Sequence, residues 1–483
     1  MVQHNAATLA SQQAIEQKVS RSLAALVVRQ VLAYGAIFLG NVFLSRWLSQ
    51  EVYGIFAAAF AFQAALVLLS DVGLGPALIQ RAERPTGEEL ASLFTVQLVL
   101  FGVVAAGAWL LAPAIAEMAD LGRETAFLVR ALALVFLITA LRSIPAMLLE
   151  RDLRFDVIAL TETVSTVLYQ GVLVALVYAG WGLNSIVWAL AARYLSDLLI
   201  VFRFYPWRPR FSSRLRLIWP YLRFGLGMQG VRLLAYVKDQ LPLLVLVPLL
   251  GAASAGQWGW AIAYVAIPIY FNRLIDRIMF PAYARVQHDR AAIGAMAGTA
   301  LWLNFAVGLP LIVALVAFAG VIIPLIYSSS WLVALPVVVL LAPNMVGGFI
   351  TGSLFPIFYA TGQSRKAVKL FGWWVALNTV LAGLGLWLAG LRGLAVGFSV
   401  TTLIMAAVLL REVRSVAEVR FREAVSTPAL ATAGATLATL LALAVHLPWF
   451  AALMAGVCVY AVSIYALASA RIHALLGLGL AKA

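Results

Sequence analysis

The chain has 483 residues, 64% of them hydrophobic and only 11% charged, with a mean hydropathy of +0.98 and a formal net charge of +14. Ordinary soluble domains carry about 25% charged residues, so this chain cannot solvate a globular surface. That excludes a water-soluble enzyme, and no stretch is polar enough for an anchored catalytic domain. The apolar runs are about 20 residues long, which fits spanning helices and not the alternating strands of about 10 residues that build a barrel.

In chain order, a polar tail (1–21) is followed by fourteen apolar segments. They lie near 22–45, 53–79, 89–112, 125–148, 157–179, 183–203, 217–248, 253–282, 293–322, 331–359, 368–389, 393–411, 427–446 and 449–470. The first is too long for a signal-peptide core and has no small-residue cleavage site, so it is read as a retained span. The seventh is too long for one straight span, and Pro242 with Gly225, Gly227 and Gly230 predicts a bend. Cys458 sits in an apolar stretch and is read as a small core residue.

The loops alternate in charge. Twenty-two basic residues fall in one set and three (Arg46, Arg123 and Arg392) in the other. The positive-inside rule then places the first set and both termini in the cytoplasm. The alternation explains the basic balance by orientation, with no nucleic-acid partner.

A weak duplication runs through the chain. Glu51-Val52-Tyr53-Gly54 corresponds to Ala253-Ser254-Ala255-Gly256, Asp71 and Pro76 to Asp276 and Pro281, Arg154 to Arg365, and Ala179-Gly180 to Ala389-Gly390. Six spans per copy give parallel repeats, with substrates expected where the halves meet. The expected division is 22–205 for helices 1–6, a basic linker 206–216, and 217–412 for helices 7–12. A basic loop 413–426, helices 13–14 in 427–470 and a tail 471–483 follow.

Nine basic residues lie in or at the edges of spans: Arg29, Arg130, Arg142, Arg193, Arg223, Arg232, Lys238, Arg273 and Arg277. Five acids join them: Asp71, Glu162, Asp197, Asp239 and Asp276. Exposing all nine bases to lipid costs roughly 20–30 kcal/mol, so most must pair, reach the interface or line a wet cavity. Arg193 and Asp197, four apart, are expected to pair on one helix face. Arg130, Arg142 and Arg223 are expected to reach headgroups. Lys238 and Asp239 are adjacent, so they should point apart.

Arg29, Arg232 and Arg273 are harder to dismiss. Tyr236 and Asp239 share a face with Arg232, and Tyr270, Asp276 and Arg277 surround Arg273 in sequence. The excess of bases over acids points to a cationic cavity between the halves, suited to phosphate because guanidinium forks match its oxygens. The bland alternative is a set of internal salt bridges. Tyr34, Tyr236, Tyr264, Tyr270, Trp258 and Trp260 offer flat rings for sugars, with core or interfacial packing the plainer reading for any one of them. Asp239 and Asp276 are candidates for charge balance or cation coupling.

The four histidines, His4, His288, His446 and His473, are scattered, so no metal cluster is expected. No Walker A loop, dinucleotide fingerprint, HExxH or GxSxG occurs. No catalytic residue and no cofactor are expected. Gly348/Gly352 and Gly393/Gly397 are short GxxxG matches read as close helix packing.

Several segments carry a resemblance: Tyr53-Gly54, Ser70-Asp71-Val72-Gly73-Leu74 and Ala77-Leu78-Ile79-Gln80-Arg81; Arg142-Ser143-Ile144-Pro145-Ala146 with Arg151-Asp152-Leu153-Arg154-Phe155; Phe280-Pro281-Ala282-Tyr283-Ala284-Arg285; and Tyr359-Ala360-Thr361-Gly362-Gln363. Their order and spacing resemble the Wzx-type oligosaccharide-lipid flippases of the multidrug/oligosaccharidyl-lipid/polysaccharide exporter superfamily. The resemblance implies two six-helix lobes in a V shape plus two extra helices. It implies alternating access that moves an undecaprenyl-diphosphate-linked oligosaccharide to the outer leaflet of the bacterial cytoplasmic membrane, for surface or exo-polysaccharide assembly. Arg29, Arg232 and Arg273 match no family motif, so their role rests on charge burial. Competing readings are a cation-coupled multidrug exporter and a membrane-embedded polysaccharide enzyme; partners in a polymerase or export complex stay open.

Overall fold

The computed structural model describes residues 29–71, 73–80, 83–118 and 122–480. Every regular element among them is helical. The elements are α1 (29–47), α2 (Gln50–Ser70), α3 (Leu74–Gln80), α4 (Gly87–Met118), α5 (Gly122–Phe136), α6 (Ile138–Arg151), α7 (Phe155–Tyr178), α8 (Asn184–Phe204) and α9 (Leu215–Asp239). They continue with α10 (Leu241–Leu250), α11 (Ala252–Val265), α12 (Ile269–Arg285), α13 (Arg290–Ala317), the short α14 (Ala319–Ile322), α15 (Leu335–Ala360), α16 (Ser364–Glu412), α17 (Phe421–Ala444) and α18 (Trp449–Leu480).

Among the described residues, eleven helical stretches are long and apolar enough to cross a membrane. The sequence count of fourteen is not reached by that measure, for local reasons. The first span begins outside the described residues. The eighth is broken between α11 and α12 at Pro268. α16 holds two helices across a kink at Ala389 and Gly390, where the eleventh and twelfth spans were separated. The bend in the seventh span falls between α9 and α10, with Pro242 in the first turn of α10, where its missing N–H costs no helix bond. Local signals set other ends. Thr86 and Glu89 exchange backbone-to-side-chain bonds of 2.8 and 3.2 Å at the start of α4, a capping box. Asp289 caps α13 by accepting from the Ala291 and Ala292 amides.

The chain divides into two compact units. The first holds the described residues from 29 to 260 together with Ile326–Trp331. Its cores join Leu44, Ile55, Phe56, Leu128, Leu132, Ala189 and Leu190 across α1, α2, α5 and α8, and Leu74, Leu78, Leu93, Ile144 and Ile218 across α3, α4, α6 and α9. The segment 326–331 is strapped to α1 and α2. Arg46 Nε donates to the Ile326 carbonyl at 2.7 Å, Gln50 Nε2 to that of Ser330 at 2.6 Å, and Trp331 Nε1 to that of Ser45 at 2.7 Å. Trp331 is fully buried and stacks on Trp260 at 5.1 Å. Trp258 and Trp260 are fully buried, which supports core packing over a sugar platform.

The second unit holds Ala261–Leu325 and Leu332 onward. Buried amide and hydroxyl groups tie its helices: Asn304 Nδ2 donates to Ser353 Oγ at 2.9 Å, and Tyr264 Oη to the Leu315 carbonyl at 2.8 Å. Gly385 and Gly393 face each other so closely that a Cβ on either meets the other's carbonyl oxygen at about 2 Å. The Gly393/Gly397 match therefore marks close packing, whereas nothing lies within 4 Å of a Cβ at Gly348. Cys458, read as a core residue, is exposed on α18.

Candidate functional site

α9 docks on α2 through one face. Gln229 Nε2 donates to the Leu68 carbonyl, Arg232 pairs with Asp71, and Tyr236 Oη donates to the Ala61 carbonyl at 3.1 Å. The spacing of these α9 residues is the helical stripe that Arg232 and Tyr236 announced. Asp71 ends α2 and also accepts from the Gly73 amide at 2.9 Å, which fixes its carboxylate. Arg29 Nη1 donates to the Asp156 carbonyl at 3.3 Å.

Lys238 and Asp239 form an ion pair, against the expectation that they point apart. Both residues lie in the last turn of α9, and the long Lys238 side chain swings round to its neighbour's carboxylate. Arg273 and Tyr270 lie on α12 in the second unit, Arg273 exposed and Tyr270 half-buried. The side chains of Asp276 and Arg277 lie outside what the structure describes.

Arg232 lines a cavity of about 420 Å³ inside the first unit, walled by α2, α4, α6, α7 and α8. Its charged residues are Arg142, Arg193, Arg232, Asp71, Glu150, Glu162 and Asp197. Three guanidiniums thus face four carboxylates, so this cavity carries no excess of positive charge.

Asp197, only 6% exposed, is the hub. It lies 3.8 Å from Arg142 Nε and accepts from Ser165 Oγ, which in turn accepts from Ser196 Oγ at 3.0 Å. The expected Arg193–Asp197 pair is replaced: Arg193 lies over the Tyr169 ring at 5.7 Å, a cation–π contact. Arg142, expected to reach headgroups, turns inward to Asp197 because α6 presents it to α8. Arg130 packs over Trp109 at 5.5 Å. Gln97, Thr139 and Thr161 line the cavity and Ser165 joins the Asp197 network, all residues that a search for charges alone passes over. A lone amide in the apolar run of α4, and the cluster Thr161, Glu162 and Ser165 in α7, were the available signals.

A bundle of apolar spanning helices that encloses a charge-lined cavity defines a multi-pass membrane transport protein. Residues 43–336 match the polysaccharide biosynthesis protein family, and the chain belongs to that family. It is 26% identical over 364 residues to the succinoglycan biosynthesis transport protein ExoT of Rhizobium meliloti, covering 75% of this chain and 72% of that one. It is 26% identical over 328 residues to the lipopolysaccharide biosynthesis protein WzxC of Escherichia coli, covering 65% and 64%. Among solved structures, the lipid II flippase MurJ in an inward closed conformation aligns with a TM-score of 0.75 at 13% identity, over 92% of this chain and 100% of that one. An inward-facing multidrug resistance MATE family transporter aligns with a TM-score of 0.62 at 16% identity, over 82% and 96%. These likenesses establish the shared fold.

Proposed function

We propose that the protein is a flippase that carries undecaprenyl-diphosphate-linked oligosaccharide from the cytoplasmic to the outer leaflet of a bacterial cytoplasmic membrane, by alternating access and with both termini in the cytoplasm. The observation that carries this reading is the polar cavity walled by apolar spanning helices in a member of a polysaccharide biosynthesis family. Such a lining lowers the cost of drawing a sugar headgroup out of water, while the lipid tail stays in the bilayer.

In this reading Arg29, Arg232, Arg273 and Arg277 contact the diphosphate, and Tyr236 and Tyr270 flank the sugar. Asp239 and Asp276 balance charge or couple a cation. Arg232 reaches a diphosphate by exchanging Asp71 for it, since Asp71 holds it in this structure. Both are partly exposed, at 45% and 27%, so that exchange does not require dismantling the core.

The four carboxylates of the cavity favour a second reading, a cation-coupled multidrug exporter. Mass spectrometry of lipids from cells lacking the protein separates the two. The flippase reading expects accumulated undecaprenyl-diphosphate oligosaccharide and lost surface polysaccharide. Unchanged lipids and polysaccharide, with raised drug sensitivity, favour the exporter.

A further inference from the structure

We propose that the cavity of the first unit is a sugar subsite, holding a hydroxyl-rich ring of the glycan apart from the diphosphate. This rests on the flippase reading and assigns a part of the substrate to a place. The cavity, about 420 Å³, falls within the roughly 300–1,000 Å³ of pockets that enclose small ligands.

Two buried groups on its wall have no hydrogen-bond partner among the described residues: Gln97 Oε1 and Arg142 Nε. Gln97 is 2% exposed, and a buried polar atom left unpaired is costly enough that native structures rarely keep one. One of the two atoms accepts and the other donates. A phosphate oxygen only accepts, so it can serve Arg142 but not Gln97. A hydroxyl both donates and accepts, so it can serve either.

The charges agree. Arg142 faces Asp197, so a diphosphate that reaches Arg142 meets a cation a carboxylate already neutralises. The same pairing leaves Asp197 less suited to a bare metal cation. Thr161 donates its own proton to the Val157 carbonyl at 2.8 Å, which leaves its oxygen to accept from a ligand. Phe101 and Tyr194 add apolar ring surface to the same wall, suited to the C–H face of a sugar.

The test titrates full-length protein in nanodiscs with two probes, a prenyl diphosphate and the same lipid carrying one hexose, glucose or galactose. Wild type is expected to bind the hexose probe about tenfold more tightly, the effect of satisfying one buried polar group. Gln97→Leu and, independently, Thr161→Val should remove that increment while leaving the bare lipid within about twofold of wild type. Equal binding of the two probes by wild type overturns the subsite and leaves the flippase reading standing. An increment that survives both variants, or a parallel loss for both probes, also overturns it. Binding of neither probe by wild type overturns the flippase reading and the subsite together.

Discussion

Gly54 and Gly256 pack backbone to backbone, and the contact is symmetric. A Cβ on Gly54 would lie 1.8 Å from the Ala252 carbonyl oxygen, and one on Gly256 would lie 2.0 Å from that of Gln50. Gln50 and Ala252 are separated by the same 202 positions as Gly54 and Gly256. Reciprocal contact of this kind is what a two-fold relation between equivalent segments produces. It gives the weak repeat in the sequence a physical counterpart at the starts of α2 and α11, reinforced by the Gln257–Gln50 hydrogen bond at 2.9 Å.

Alanine at either glycine should therefore destabilise the protein. In an open helix, Gly→Ala gains about 0.8–1.0 kcal/mol. Here the methyl meets a carbonyl oxygen, and overpacking of about 1–3 kcal/mol should reverse the sign. Thermal unfolding in detergent checks this, with Gly348→Ala as the control, since a Cβ there meets nothing within 4 Å.

Asp197→Asn should be more damaging than its small change in shape suggests. It removes the carboxylate nearest Arg142, whose side chain is one-third exposed, so the loss should sit at the low end of that for breaking a buried pair, about 3 kcal/mol. The double variant Asp197→Leu with Arg142→Met should recover much of the folded yield, because it removes both charges. A double-mutant cycle on detergent stability measures the coupling.

Arg232→Lys should retain folded protein and lose part of the transport. Lysine keeps a charge for Asp71 but lacks the planar fork for a diphosphate. Arg232→Ala should lose more. Surface polysaccharide restored to a deletion strain, normalised to protein level, reads both.

Labelling should follow the charge alternation. With Cys458→Ser as background, a cysteine at Trp181 should react with an impermeant maleimide from outside. One at Ser213 should react only after the membrane is opened.

Much of the helical layout was legible because its causes are local. Pro242 marks the break between α9 and α10, and Ala389-Gly390 marks the kink of α16. Charge pairing was less legible. Spacing along α8 offered Arg193 to Asp197, but the side chain that reaches Asp197 comes from α6, and no periodicity within one helix reports a contact between helices. The Lys238–Asp239 pair escaped because helical spacing sets where a side chain leaves the backbone, and a long lysine chain can still bend to its neighbour. Gln97 escaped because a neutral amide costs less to bury than a charge and so stands out less in an apolar run.

The most direct measurement is leaflet transfer by the purified full-length protein in liposomes. A prenyl-diphosphate oligosaccharide is placed in one leaflet, and its arrival in the other is timed with a glycan-modifying reagent that does not cross the membrane. Transfer well above that in protein-free liposomes is expected, reduced by Arg232→Ala. Transfer no faster than in protein-free liposomes, from protein that remains folded, would contradict the flippase reading.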